Sequence, residues 1–203
     1  MLFGAARHGS MSDLLAVILS LLLVQPSHAQ QPSANSSSTS RIREISDYLT
    51  RSDHALACDP LAARNLAKRA LDAASAARET DHAWIDALGD LKSQSNLAIG
   101  SAEKRQEDFD AHERDARKAI KQARLRTANE LLVQADPGNC YAGFKAVKAL
   151  VDQRRSQAES LIRKGDEAFA VHPKKAISLY EKAGKVDAEY PNLASRIASV
   201  QLK

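Results

Sequence analysis

The sequence predicts an all-α fold, and three observations carry that prediction. Alanine, the strongest helix former, occurs 36 times among the 203 residues, whereas glycine occurs 8 times and proline 6 times. The β-branched runs and frequent turn residues of a β-sandwich are scarce. Apolar residues recur at helical spacings of three and four along most of the chain. With 44% hydrophobic and 27% charged residues, the composition is that of a folded protein.

The N-terminus has the features of a secretory signal peptide over residues 1–29. Leu14 to Val24 is an uncharged apolar run of eleven residues, well short of the roughly 20 that a membrane-spanning helix needs. Arg7 precedes the run, and Ser27-His28-Ala29 offers small residues to a signal peptidase. We expect cleavage after Ala29 and export to the periplasm or the medium, with a weak preference for a bacterial source. An uncleaved membrane anchor is the alternative.

Residues 30–40 are polar and rich in serine, which predicts a flexible linker. The first helix is predicted over residues 41–57, because Ile42, Ile45 and Leu49 share one helical face. Asp59 is a good N-cap and Pro60 suits the first helical position, so a second helix is expected to begin there.

A long antiparallel helical hairpin, resembling a coiled coil, is predicted for residues 41–139. Its outgoing arm follows a seam of mostly Ala and Leu from Leu66 to Ala98, with steps of four and three. Gly100-Ser101 is the expected turn. The return arm is expected to run to Ala135 without a break, since residues 124–127 contain neither Gly nor Pro. In this hairpin Trp84 would face Ala116 and Leu91 would face Phe109.

The two cysteines, Cys58 and Cys140, would meet at the open base of that hairpin. Exported chains meet an oxidising compartment, where paired cysteines commonly bridge, so we predict a Cys58–Cys140 disulfide. In the chain-entropy model, closing a loop of this size stabilises the fold by at most roughly 4–5 kcal/mol. Two separate buried thiols are the alternative.

The C-terminal region, residues 140–203, contains five of the aromatic side chains. Helical spacing predicts one helix from Tyr141 to about Val171, a second from Pro173 to about Glu189 and a short third over residues 192–202. The five aromatics could line a partner-binding groove, or they could simply form a core; they are Tyr141, Phe144, Phe169, Tyr180 and Tyr190.

Residues 161–191 resemble a tetratricopeptide repeat (TPR), in which small and large residues interlock two antiparallel helices. Leu161, Gly165 and Ala168 match its first helix, and Ala176, Tyr180 and Ala183 match its second. The turn between them is one residue short, and Ala188 replaces the usual closing proline.

A weaker similarity to the second helix lies 48 residues upstream, in the predicted return arm, at Ala128, Leu132 and Ala135. If it is genuine, the return arm is two short helices rather than one continuous helix. The resemblance implies a protein-binding scaffold, with the final helix as a polar cap.

Catalysis and metal binding have little support in the sequence. The chain has no phosphate-binding glycine loop, nucleophile elbow or HExxH motif. His54, Cys58 and Cys140 could offer three metal ligands, but a structural zinc site normally uses four. The pairs His82/Asp86 and Asp108/His112 are more typical of surface contacts than of acid–base chemistry. We therefore predict no enzyme activity and no cofactor.

The formal net charge of +4 is dispersed among acids along the chain, which does not favour nucleic-acid binding. A basic stripe at 114–124 (Arg114, Arg117, Lys118, Lys121 and Arg124) could touch anionic material or be a solvated face. We expect an exported, non-catalytic module that binds a protein partner in the cell envelope. A self-associating structural spacer is the first alternative, and a thiol- or metal-dependent protein using Cys58 and Cys140 is the second.

Overall fold

The computed structural model describes residues 34–77 and 82–201, and the predicted signal peptide lies outside them. The described residues form seven α-helices and no strand, so the predicted all-α class is confirmed. In chain order the helices are α1 Ala34–Leu56, α2 Pro60–Ala76, α3 His82–Lys121, α4 Leu125–Ala135, α5 Ala142–Ala168, α6 Pro173–Val186 and α7 Leu193–Gln201. The chain from Ser38 onwards is one compact unit.

Three hydrophobic cores follow one another along the chain. Core A joins α1, α2 and the first half of α3 and contains Ile45, Leu49, Ala70, Ala74, Leu88 and Leu91. Core B joins the second half of α3, α4 and the start of α5 and includes Phe109, Ile120, Leu125, Leu132, Phe144 and Val151. Core C joins the end of α5, α6 and α7 and contains Ile162, Ala168, Ala176, Tyr180, Ala183 and Val200. The long helices α3 and α5 therefore each contribute to two cores.

Local signals place several helix ends where the sequence predicts them. Asp59 caps α2 by accepting a hydrogen bond from the Ala62 amide at 2.9 Å, with Pro60 at the first helical position. Helices α5, α6 and α7 also lie close to their predicted ranges. The linker prediction is wrong for residues 34–40, because α1 begins at Ala34. Ser38, in this part of α1, is buried.

The predicted turn at Gly100 is wrong. Helix α3 continues through Gly100 to Lys121, so Trp84 and Ala116 lie on one helix and cannot face each other, and the same holds for Leu91 and Phe109. A helix-interior glycine costs only about 1 kcal/mol relative to alanine, and packing at both ends of α3 outweighs that cost. The expected continuous arm from Leu66 to Ala98 is also interrupted, since α2 ends at Ala76 and Ala77 has extended backbone.

The return arm is divided, contrary to our expectation. Helix α3 ends at Lys121 and α4 begins at Leu125. Ala123 adopts a left-handed backbone with φ of 58°, and the Arg124 amide donates to the Ala119 carbonyl at 2.9 Å. A residue that is neither Gly nor Pro thus makes the turn, because contacts from the distant α6–α7 loop hold it in place. The Ala188 amide of that loop donates to the Ala123 carbonyl at 2.7 Å.

Candidate partner-binding cleft

The predicted disulfide is confirmed. Cys58, in the turn after α1, bridges Cys140 in the loop between α4 and α5, with an S–S distance of 2.02 Å and a Cα–Cα distance of 5.1 Å. The geometric reason differs from the predicted one, since no hairpin turns at Gly100. The bridge instead joins a turn of core A to a loop of core B. The Cys140 side of the bridge is exposed, and Cys58 is half-buried.

A buried carboxylate shapes the loop that carries Cys140. Asp136 is 6% exposed, and its Oδ2 accepts a hydrogen bond from the Tyr141 amide at 2.7 Å. Its Oδ1 lies 3.5 Å from Cys140 Sγ. Asn139 turns the chain with φ of 52°, a conformation that asparagine tolerates better than most residues. Asp136 therefore fixes both the start of α5 and the position of the disulfide.

An open cleft of about 420 Å³ lies beside this disulfide. The end of α1 and the middle of α3 line it with Asp53, Leu56, Ala57, Ser101, Lys104, Arg105 and Asp108. The carbonyl oxygen of Ala57, one of these lining residues, is 4.0 Å from Cys140 Sγ. We call its apolar lining residues, Leu56 and Ala57, the floor of the cleft, and its two acids and two bases the rim. An apolar floor with a mixed-charge rim is the usual composition of a protein-binding surface.

Arg105 is the rigid member of that rim. Its Nη2 donates to the Ala135 carbonyl at 3.0 Å, at the end of α4. Its guanidinium lies 4.2 Å from the centre of the Phe109 ring. A cation is favoured both at a helix C-terminus and over an aromatic face. Arg105 therefore presents a fixed positive charge to the cleft, whereas the Lys104 side chain is exposed.

The five aromatics proposed to line a groove are divided between two cores. Tyr141 and Phe144 pack with Phe109 in core B, with ring centres 4.3 to 5.2 Å apart. Phe169, Tyr180 and Tyr190 belong to core C. Phe144 and Tyr180 are buried, and the other three are half-buried. The structure therefore does not bring the five together on one surface.

Asp166 connects α5 with both α6 and α7. Its Oδ1 accepts a hydrogen bond from the Tyr180 hydroxyl at 2.8 Å and another from Arg196. Burial raises the pKa of Tyr180, and its hydrogen bond to Asp166 raises it further. The hydrogen bond to Asp166 likewise raises the pKa of Arg196. Tyr180 therefore stays protonated, and Arg196 stays charged, while they fasten the last two helices.

Glu189 caps α4 from the far end of the sequence. Its carboxylate accepts from the Thr127 amide at 2.9 Å and from the Thr127 hydroxyl at 2.5 Å, and Arg124 lies 3.8 Å away. Burial alone would raise the pKa of Glu189, but the Thr127 hydrogen bonds and the charges of Arg126 and Arg124 lower it overall. The carboxylate therefore stays ionised at the positive end of the α4 dipole.

The residues considered for metal or acid–base chemistry do not assemble into a site. Across residues 34–77 and 82–201, no group of three His, Cys, Asp or Glu side chains could hold a metal ion. The His112 ring contacts the backbone carbonyl of Asp108 at 2.8 Å rather than its carboxylate. His54 is exposed, and the side chain of His82 lies outside the described part of the structure.

Two members of the basic stripe are paired with acids. Arg117 Nη2 lies 2.8 Å from Glu113, and Arg124 pairs with Glu189. Part of this face is therefore neutralised by its own acids. Among the residues that the structure describes, no helix combines the length and the apolar character needed to span a bilayer.

No sequence pattern marks Asp166, Arg196, Glu189 or Thr127 as contact residues. Their contacts join residues 14 to 62 positions apart, and no local pattern signals such pairs. The Arg105–Phe109 contact has a helical i,i+4 spacing and could have been recognised. No protein-family model matches the chain, and neither a curated protein nor a solved structure shows a significant match to it.

Proposed function

We propose that this chain is an exported, non-catalytic helical protein that binds a protein partner in the cell envelope and acts as a scaffold. The observation that carries the proposal is the cleft beside the disulfide, with its apolar floor at Leu56 and Ala57 and its charged rim. A helix or extended segment that inserts one apolar side chain, flanked by both signs of charge, would match this lining.

Two further features support the proposal. A disulfide is typical of chains that fold in an oxidising compartment, which agrees with the predicted signal peptide over residues 1–29. Helices α5 and α6 carry the TPR-like segment, and in them the ring of Tyr180 lies directly over Gly165. This large-on-small contact is the interlocking that the resemblance to a TPR implies. Such arrays present surfaces to partners and have no reaction of their own.

Site-specific photo-crosslinking tests the partner site. A photoreactive amino acid at Lys104, on the cleft rim, should capture one defined protein in the envelope of the native host. The matched control is the same probe at Glu159, an exposed position on α5 away from the cleft lining. Leu56→Glu, which places a charge on the apolar floor, should abolish capture from Lys104. Equal capture from both positions, or capture that survives Leu56→Glu, would contradict the proposed site.

N-terminal sequencing and cell fractionation test the predicted export. The mature protein purified from its native host should begin at Gln30 by N-terminal sequencing and should be recovered from the periplasm or the medium. Recovery of the full-length chain from the membrane fraction would favour the retained anchor instead. Recovery from the cytoplasm would contradict export.

Self-association into a structural spacer is the second candidate. Leu97 is 72% exposed and lies in an uncharged stretch of α3, residues 93–102. The alanine seam that first suggested assembly is used internally, since Ala70 and Ala74 are buried in core A. Light scattering over a wide concentration range should show dimers that Leu97→Lys dissociates. A monomer throughout would remove this candidate.

The thiol- or metal-dependent alternative needs the disulfide to be open. Among the described residues no cysteine is free. Thiol titration of the native protein distinguishes this alternative from the scaffold. Two reactive thiols, or copurifying zinc, would favour the thiol- or metal-dependent protein. The absence of reactive thiols would favour the scaffold.

A further inference from the structure

Helix α3 contains a weak segment between the two cores that it serves. Leu91 belongs to core A and Phe109 to core B. Between them lies the pair Gly100-Ser101, and Gly/Ser pairs are common sites of helix bending. Ser95 donates to the Leu91 carbonyl at 2.7 Å, a back-bonding contact that also loosens helices. A Cβ at Gly100 would meet no atom within 4 Å, so packing does not require a glycine there.

The disulfide is a second connection between the same two cores. Helix α2 packs against α3 and, among the helices described, contacts neither α4 nor α5. The Cys58–Cys140 bridge joins the α1–α2 turn directly to the α4–α5 loop. The cleft lies between the end of α1 and the part of α3 that begins at Ser101. The weak segment of α3, the disulfide and the cleft therefore all lie where core A meets core B.

We propose that the Cys58–Cys140 bridge is a redox-controlled staple. When oxidised it fixes the angle between core A and core B, and when reduced it lets α3 bend at Gly100-Ser101 and widens the cleft. The staple does not depend on any ligand. Its effect on partner binding does rest on the proposed function, because only then does the width of the cleft matter.

The reaction is a two-electron thiol–disulfide exchange with a dithiol, the chemical class used by thiol–disulfide oxidoreductases. A thiolate of the dithiol attacks Cys140 Sγ, the exposed sulfur, and forms a mixed disulfide while Cys58 leaves as a thiolate. The second thiol of the reagent then displaces Cys140. Cys58 and Cys140 gain two electrons and two protons, and the reagent becomes a cyclic disulfide.

The expected motion follows from the length of α3. From Gly100 to Trp84 the helix extends about 24 Å, at 1.5 Å per residue. A bend of about 20°, the threshold of a sharp kink, would move the far end of core A by about 8 Å. Nitroxide-bearing unnatural amino acids at Ser75 and Gln157, both exposed, would report this distance by pulsed electron spin resonance without using cysteine.

Dithiothreitol should widen the Ser75–Gln157 distance distribution and shift its mean by up to about 8 Å; reoxidation should restore it. The Cys58→Ser/Cys140→Ser variant should match the reduced protein. Labels at Gln157 and Lys182, both within the α5–α6 region, should show no change. Circular dichroism at 222 nm monitors helicity, so that a shift caused by unfolding is recognised. An unchanged Ser75–Gln157 distance in the reduced, helical protein would refute the staple, as would a shift accompanied by loss of helicity.

Two glycines of α3 provide matched variants for the position of the bend. Gly89 and Gly100 both have open space for a Cβ, and Ala at either should strengthen the helix equally. Gly100→Ala should reduce the distance change on reduction, whereas Gly89→Ala, within the core A half of α3, should leave it intact. Equal effects would refute a bend at Gly100-Ser101. If the staple holds but crosslinking at the cleft fails, the proposed function is wrong and the hinge is not.

Discussion

Replacing Gly165 of α5 by alanine should destabilise the protein, although the residue lies inside a helix. A Cβ at this position would lie 2.4 Å from Tyr180 Cε1 and 2.8 Å from Tyr180 Cδ1. At Gly89 and Gly100 of α3 a Cβ would meet nothing within 4 Å. The same substitution, Gly→Ala, should therefore have opposite effects at the two kinds of site.

The magnitude follows from the movement that Tyr180 must make. The ring has to retreat by about 1 Å to reach an ordinary contact of 3.4 Å, and overpacking of this kind costs about 1–3 kcal/mol. Displacing the ring also strains the 2.8 Å hydrogen bond to Asp166, worth about 1 kcal/mol. Replacing glycine returns up to about 1 kcal/mol of helix propensity. We expect a net loss of about 2 kcal/mol at Gly165 and a gain approaching 1 kcal/mol at Gly89 or Gly100.

Urea unfolding followed by circular dichroism at 222 nm measures these changes, and the melting temperature of Gly165→Ala should fall by about 6 °C. Tyr180→Leu removes the ring, so Gly165→Ala should cost little in that background. A double-mutant cycle then isolates the coupling between the two positions. If Gly165→Ala were as stable as Gly100→Ala, the close packing of α5 on α6 would be wrong.

Three further predictions concern the links between elements. Reducing the Cys58–Cys140 bridge should lower the free energy of unfolding by up to about 4.5 kcal/mol for the 82-residue separation, measured as a shift in the urea midpoint; no shift would mean that the bridge constrains nothing. Because the pKa of Glu189 is lowered in the folded state, its stabilisation is present above the ordinary glutamate pKa of about 4.3 and is lost as the pH falls through the lowered value. Glu189→Gln should therefore cost about 1–2 kcal/mol at pH 7 and flatten the acid side of the stability curve; parallel curves for the two proteins would rule out the cap. The pKa of Tyr180 is raised by burial and by Asp166, so its stabilisation is present at neutral pH and is lost as the pH rises through the raised value. Asp166→Asn should lower that pKa in an absorbance titration at 295 nm, and an unchanged titration would contradict the hydrogen bond.

The elements that the sequence predicted well are those whose signals are local. Asp59-Pro60 starts α2, and Pro173 starts α6, through backbone preferences that act within one turn. The disulfide was also predicted, although from a hairpin that does not exist. Its prediction rested on the tendency of paired cysteines to bridge in an oxidising compartment as well as on that geometry, and the geometric part was wrong.

The elements that were predicted wrongly depend on distant parts of the chain. Gly100 looked like a turn because glycine usually ends helices, yet α3 continues through it. Ala123 looked helical because alanine usually is, yet it turns the chain with φ of 58° while Ala188 and Glu189 hold the surrounding turn. The sequence contains no pattern that pairs the turn after α3 with the loop after α6. The cleft was invisible for the same reason, since α1 and α3 meet only in the folded chain.

The disulfide between the α1–α2 turn and the α4–α5 loop has a mechanical consequence. When the chain is pulled by its two ends, tension follows the shortest covalent route, which runs across the sulfur atoms. The segment between the two cysteines, which are 82 positions apart, then carries no load, and roughly 270 Å of extended chain stays in reserve. Tension can extend only the chain outside the disulfide-closed loop until a reductant opens it, so the maximum extension of the chain depends on its redox surroundings.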